Sequence, residues 1–240
     1  MSVDFRLSGG VHGLTVTETD GSVTDYQVHS VIGVAPLQQY LLETEPGRLQ
    51  SLDVVWDVEK GEWFHLYPDQ NYPPDDGLHW SGPYKTWNAR CAECHATGYR
   101  KNYGQQTGRY RSTQAEIGVG CESCHGPGAA HLAWTGGQDV TEAGLDEYGF
   151  SMSFDMAERD AYVGQCAGCH SRREPMGDGN PLPGTAYHDA YTLSLLREGL
   201  YEPDGQILDE VYVYGSFLQS RMYARGVGCG NCHDPHDAEL

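Results

Sequence analysis

Hydrophobic and polar residues alternate with period two through the first 70 positions of the chain. The runs are LTVTE (14–18), VTDYQVHSVIG (23–33), RLQSLDVVWD (48–57) and EWFHLYP (62–68), with turn signals at Asp20-Gly21 and around Glu59-Lys60-Gly61. Such alternation sets one face of a strand on a core and the other in water. It predicts an antiparallel sheet of about four to six strands, with Val54, Trp56 and Val58 on one face. PLQQYLLETE (36–45) fits a short helix or a further strand. From residue 71 onward the alternation stops and Gly and Pro punctuate the sequence. Short helices are expected over 157–169, 190–199 and 216–226, and Leu193, Leu196 and Leu200 form an apolar stripe. The fold class is therefore α+β with low regular secondary structure: an antiparallel β region over residues 1–70 and a loop-rich, short-helix domain over 71–240.

Composition sharpens this picture. Hydrophobic residues make up 39% of the 240, which is low for a self-sufficient core, and 31 Gly and 12 Pro suit a chain that wraps something else. The formal net charge of -19 argues against nucleic acid and against anionic lipid headgroups. It fits a basic redox partner or surroundings rich in metal ions. No segment approaches the ~20 apolar residues of a transmembrane helix. The opening MSVDFRLSGG has no apolar stretch of the signal-peptide kind, so a mature or trimmed form is expected.

The cysteines carry the chemistry. All eight fall into one repeated pattern: CAECH with Cys91, Cys94 and His95; CESCH with Cys121, Cys124 and His125; CAGCH with Cys166, Cys169 and His170; and CGNCH with Cys229, Cys232 and His233. In C-x-x-C-H two thiols add to the vinyl groups of one haem, and the following imidazole becomes the proximal iron ligand. Zinc and disulfides also use paired cysteines, but neither needs a His directly after each pair. Four covalent haems c are therefore expected, and their flat apolar bodies supply the core that the composition lacks. The motif starts lie 30, 45 and 63 residues apart, which rules out a simple tandem repeat.

Seven histidines remain for the distal side. His236 sits in CHDPH and His131 in CHGPGAAH, each in a Gly/Pro turn beside a motif and better placed for a neighbouring haem than for its own. His79 precedes the first motif in LHW, and His188 lies in AYHDAY. These four are the expected distal ligands. His65, His12 and His29 read as sheet residues, and Met222 is the nearest methionine alternative. Bis-histidine ligation predicts low potentials.

With these residues in view, the chain resembles the multihaem c-type cytochromes often fused to tetratricopeptide repeats. The strings that carry the resemblance include VIGVAPLQQYL, GRLQSLDVVWD, LHWSGPYKTWNARCAECHATGYRKNY, EIGVGCESCHGPGAAH, CAGCHSRR and GLYEPDGQILDEVYVYGSFLQSRMYARGVGCGNCHDPH. Members usually carry further CxxCH motifs before the sheet and after the CHDPH string, and this sequence has neither. The resemblance implies secretion to the periplasm or the exterior and electron transfer with redox partner proteins. CHGPGxxH and CHxPH are also similar to motifs of multihaem nitrogen-cycle enzymes, in which the equivalents of His131 and His236 are distal ligands. In size the unit is similar to subunits of extracellular cytochrome filaments, so self-association into a filament stands beside a soluble carrier. There His12 or His29 would ligate a neighbour's haem. The competing function is a reductase of small nitrogen compounds with one open haem, for which Arg172-Arg173 is the best polar candidate. Those arginines equally suit salt bridges to haem propionates, and no motif replaces its His by Lys. A haem-based sensor or adhesin is the third reading.

Overall fold

The computed structural model describes residues 1–141 and 144–236. The chain divides into two compact units, residues 1–92 with 101–113, and residues 93–100 with 114–240.

The first unit is built on a six-stranded antiparallel sheet: β1 (Ser2–Ser8), β2 (Val11–Thr17), β3 (Val23–Ile32), β4 (Leu37–Glu45), β5 (Arg48–Asp57) and β6 (Glu62–His65). Each strand pairs with the next in sequence, so the sheet is a plain meander. Leu14, Val16, Leu42 and Leu52 bury their side chains completely or nearly so on one face, together with Trp80 from beyond the sheet. The sheet curls. Phe5 of β1 stacks on Trp63 of β6 with ring centroids 3.8 Å apart, although these strands lie at opposite ends of the strand order. Tyr40 and Trp56 pack edge-on against Trp63, which fills the inside of the curl with aromatic rings.

One element adds to the sequence expectation, and another settles an alternative that it left open. β1 alternates through Val3, Phe5 and Leu7 and is a strand, where the same residues had been weighed only as a leader. Residues 37–45 are a strand and not a helix. The pattern was ambiguous because the register against β5 slips between Gln39 and Leu41, so Leu41 and Leu42 are buried side by side. Val54 joins the apolar cluster, but Val58 lies beyond the end of β5 and is exposed.

The sheet unit continues into the stretch that precedes the first cysteine motif. Gln50 is fully buried, and its amide donates to the carbonyls of Ser81 (2.5 Å) and Gly82 (2.9 Å). Ser51 donates to the Lys85 carbonyl, and the Leu49 N–H donates to the Asn88 side chain. Lys85 pairs with Asp53 at 3.1 Å and lies over the Tyr67 ring. These bonds fix the approach to a short helix, α1 (Trp87–Arg90).

The second unit holds mostly short elements: α2 (Ala92–His95, whose first residue belongs to the sheet unit), α3 (Glu122–His125), α4 (Ala129–Thr135), α5 (Arg159–Ala167), α6 (Tyr187–Ala190), α7 (Tyr214–Leu218) and α8 (Arg221–Ala224). Two small ladders join β7 (Ala96–Thr97) to β8 (Glu116–Ile117) and β9 (Arg173–Pro175) to β10 (Tyr191–Leu193). The helix expected over 157–169 is present as α5 and the 3-10 turn before it. The one expected over 216–226 is broken into α7 and α8, where Ser220 caps the second through the Tyr223 N–H. The helix expected over 190–199 is absent: Tyr191 is extended and pairs with Pro175, so Leu193, Leu196 and Leu200 share no helical face. Among the described residues no helix is long and apolar enough to cross a membrane.

Replacing Gln50 by Leu keeps the volume but strips two buried carbonyls of their donor, at about 1–3 kcal/mol for each unmet group. Denaturant unfolding followed by far-ultraviolet circular dichroism should show a clear loss of stability. An unmoved midpoint would mean that the 81–82 turn is held by something else.

Candidate functional site

Three of the four motifs close the same turn. The carbonyl of the first cysteine accepts from the second cysteine's N–H and from the histidine's N–H: Cys121 from Cys124 (3.2 Å) and His125 (3.0 Å), Cys166 from Cys169 (3.2 Å) and His170 (3.0 Å), Cys229 from Cys232 (3.1 Å) and His233 (3.1 Å). In the first motif Ala92–His95 is itself helical. One helical turn thus presents two thiols and an imidazole together. Each residue after the motif is tied in differently. Ser171 is buried and bonds the Ala167 carbonyl and the Tyr187 hydroxyl, both at 2.7 Å. Gly126 has φ +82°, and a Cβ there would run into the Ser151 hydroxyl.

Within the second unit the motifs converge. Thr97, two residues after His95, shares a hydrogen bond of 2.7 Å with Ser123 inside the second motif. Gln165 donates to the Ser123 carbonyl at 3.2 Å, which links the second motif to the third. Gly230, inside the fourth motif, lies flat on the Tyr162 ring of α5, so close that a Cβ would sit 2.6 Å from the phenol oxygen. Thiols of different motifs influence each other's titration, Cys94 with Cys169 and Cys166 with Cys229. In each pair the accepting thiol is held down, to about 7 for both Cys94 and Cys229, by its partner's hydrogen bond. The donors Cys169 and Cys166 are pushed up by that bond and by burial. All eight cysteines are free thiols. Among the described residues no group of three or more His, Cys, Asp and Glu is gathered as a metal-ion site.

The histidines fall into distinct settings. His95, His170 and His233 are exposed and His125 is half-buried. Burial, with His236 and His131 nearby, lowers the His125 pKa, and its Nδ1 is buried without a hydrogen-bond partner. Phe150 and Phe154 flank the His125 ring. His236 lies parallel to that ring, 13° off, with centroids 6.0 Å apart, and pairs with Asp234 at 3.3 Å. The His131 ring stacks on Phe150, and its Nδ1 lies 2.9 Å from the Tyr148 carbonyl. That carbonyl only accepts, so Nδ1 carries the proton and Nε2 is the basic nitrogen. His188 is exposed, edge-on to Tyr187.

In the sheet unit His79 is buried, with Nδ1 2.8 Å from the Ser81 hydroxyl and Nε2 3.1 Å from the Glu18 carboxylate. His65 accepts the Tyr67 N–H at Nδ1, which leaves the proton on Nε2. His12 packs edge-on to Tyr40, and His29 is exposed at a register slip between Val28 and Ser30. Met222 is exposed.

The donor set fits haem c: two thiols and an imidazole on a single turn in each motif, and a buried imidazole nitrogen in the second that the polypeptide does not satisfy. A sequence profile described as "Cytochrome c554 and c-prime" matches residues 78–126, which hold His79 and the first two motifs. Over these residues the chain is similar to multihaem c-type cytochromes.

Proteins of that description are c-type cytochromes, which carry covalently bound haem. The fold of this chain is also that of a solved structure, the outer cell wall cytochrome OcwA, at a TM-score of 0.54 and 21% identity. The match covers 84% of this chain and 43% of that one, so this chain spans less than half of the larger protein's length. No curated protein matches it. Several positions in the site carry no signal in the sequence. Thr97, Ser123 and Gln165 join motifs through bonds between residues far apart in the chain, and Phe150 is one aromatic residue among many.

Gly126→Ala forces a side chain into a left-handed backbone position, a cost of about 1–2 kcal/mol before any clash is counted. The Ser151 hydroxyl stands in its way. A pyridine haemochrome assay should find the second haem under-occupied, and full occupancy would show that the CHGPG turn tolerates the change.

Proposed function

We propose that this protein carries four haems c, one on each motif, and passes electrons between redox partner proteins outside the cytoplasm. The observation that supports the reading is that side chains tie the motifs to one another, Thr97 to Ser123, Gln165 to the Ser123 carbonyl, and Arg173 to Gly168 and the Cys94 sulfur. Motifs tied together in this way would hold their haems close to one another, and short gaps between haems are what a conduit needs. The third motif is tied in this way to both the first and the second and is the junction. Each haem, when bound, supplies a one-electron iron couple. The residues around it hold the ring, choose the axial nitrogens and keep the motifs in register.

The proximal ligands are His95, His125, His170 and His233. For the distal side, His236 suits the iron held by His125. The two rings lie nearly parallel, with centroids 6.0 Å apart, and would be the pair that holds it. His131 offers a basic Nε2 on a ring fixed by the Tyr148 carbonyl. His188 completes the set in the second unit, and His79, whose Nε2 now meets the Glu18 carboxylate, is the candidate in the sheet unit. Residues 114–240 hold twenty Asp and Glu against six Arg and no Lys, so the partner that docks there is basic. The outer cell wall name of the structural neighbour favours the exterior over the periplasm. Self-association into a filament would use the free outer edges of β1 and β6.

The test is an iron and haem count with low-temperature electron paramagnetic resonance of the oxidised protein. Four haems and four low-spin irons are expected, and His236→Ala should turn one iron high-spin and leave three unchanged. A high-spin iron in the unaltered protein would make the reductase the better reading, and fewer than four haems would overturn the count.

A further inference from the structure

Arg173 is the one arginine whose guanidinium sits among the cysteine motifs in the contacts seen among the described residues. Its side chain is 7% exposed, in a unit whose charge is otherwise overwhelmingly acidic. Four contacts hold it. Nε donates to the Gly168 carbonyl, inside the third motif, at 2.6 Å. One terminal nitrogen lies 3.6 Å from the Cys94 sulfur, in the first motif. The other lies 3.4 Å from the Glu93 carboxylate, also in the first motif and 9% exposed. The guanidinium plane rides 3.7 Å over the Tyr191 ring. Arg172, its neighbour in sequence, instead pairs at the surface with Asp209 at 2.8 Å. The two arginines that the sequence presents together therefore do different things.

We infer that Arg173 is a positioning residue that clamps the first and third motifs together and raises the reduction potentials of the two haems they carry. The inference rests on haem attachment at those motifs. A buried guanidinium is a fixed charge, since it does not lose its proton in proteins. One electron entering ferric iron lowers the charge of the site by one, so a cation beside the porphyrin edge favours the ferrous state. In a poorly screened interior that preference is felt across several ångströms. Glu93 opposes it, but the guanidinium reaches to 3.6 Å from the Cys94 sulfur itself. In the third motif the guanidinium is bonded to the Gly168 carbonyl, directly before Cys169. The clamp and the field thus act on the same pair of motifs.

The experiment is a spectroelectrochemical titration of the full chain, with haem content and spin state measured on each variant. Arg173→Gln should move two of the four redox components to lower potential and leave the other two in place. Arg173→Lys, which keeps the charge, should stay closer to the unaltered protein. Glu93→Gln should move the same two components upward. That opposite sign is something a purely structural role would not produce. Should Arg173→Gln fail to mature, Glu93→Gln decides alone: a rise supports the inference, and no change or a fall overturns it. Arg173→Gln with four low-spin haems and unmoved potentials also overturns it. Loss of haem from the unaltered protein at the first or third motif would instead strike the attachment reading on which the inference rests.

Discussion

The constraint on which the rest depends is the short turn that places two thiols and an imidazole on one side of the backbone. A single carbonyl, that of the first cysteine, accepts two N–H groups and closes the turn at Cys121, Cys166 and Cys229 alike. Nothing else in the second unit is so regular. Its apolar clusters are small, for example Ala167 with Tyr187 and Tyr191, or Leu200 with Tyr201 and Val211. A chain of this composition cannot bury enough apolar area of its own to offset the entropy of ordering its loops. Covalent haem would resolve that difficulty: it would supply large apolar bodies and tie each to the chain at two points.

The sheet unit works by a different economy. It closes an aromatic interior by curling until Phe5 meets Trp63, and it extends its order to the chain beyond β6 through Gln50, Ser51 and Asn88. Buried amides that satisfy backbone carbonyls are specific as well as stabilising, because an alternative register would leave those groups unpaired. Trp80 and His79 are part of this fabric. The Glu18 carboxylate binds both the Trp80 indole at 2.7 Å and the His79 imidazole.

Electrostatics divides between field and contact. The acidic exterior acts at long range on whatever approaches, whereas Arg173 acts at short range on the groups it touches. Burial separates the two, since a charge shielded from water by protein is screened far less than one at the surface. The pair Arg172-Arg173 shows how one dipeptide serves both regimes, because consecutive residues in an extended stretch point to opposite sides.

The cysteine motifs, the β character of the first 70 residues and the short helix entering the third motif were all legible in the sequence. Each rests on a local rule, a fixed spacing or a repeating period, that a few neighbouring residues satisfy alone. The outcome at 37–45 and at 190–199 was not legible. A register slip in the first case and a ladder with Arg173–Pro175 in the second overruled local preference through partners distant in the chain. The same holds for the site. The spacing C-x-x-C-H by itself pointed to haem c. Only the tertiary structure decided how the motifs are tied together, that His236 lies parallel to His125, that His79 is engaged by Glu18, and that Arg173 but not Arg172 enters the cluster of motifs. The physical reason is the same throughout: covalent attachment is a property of five consecutive residues, whereas neighbourhood, burial and field are properties of the packed chain.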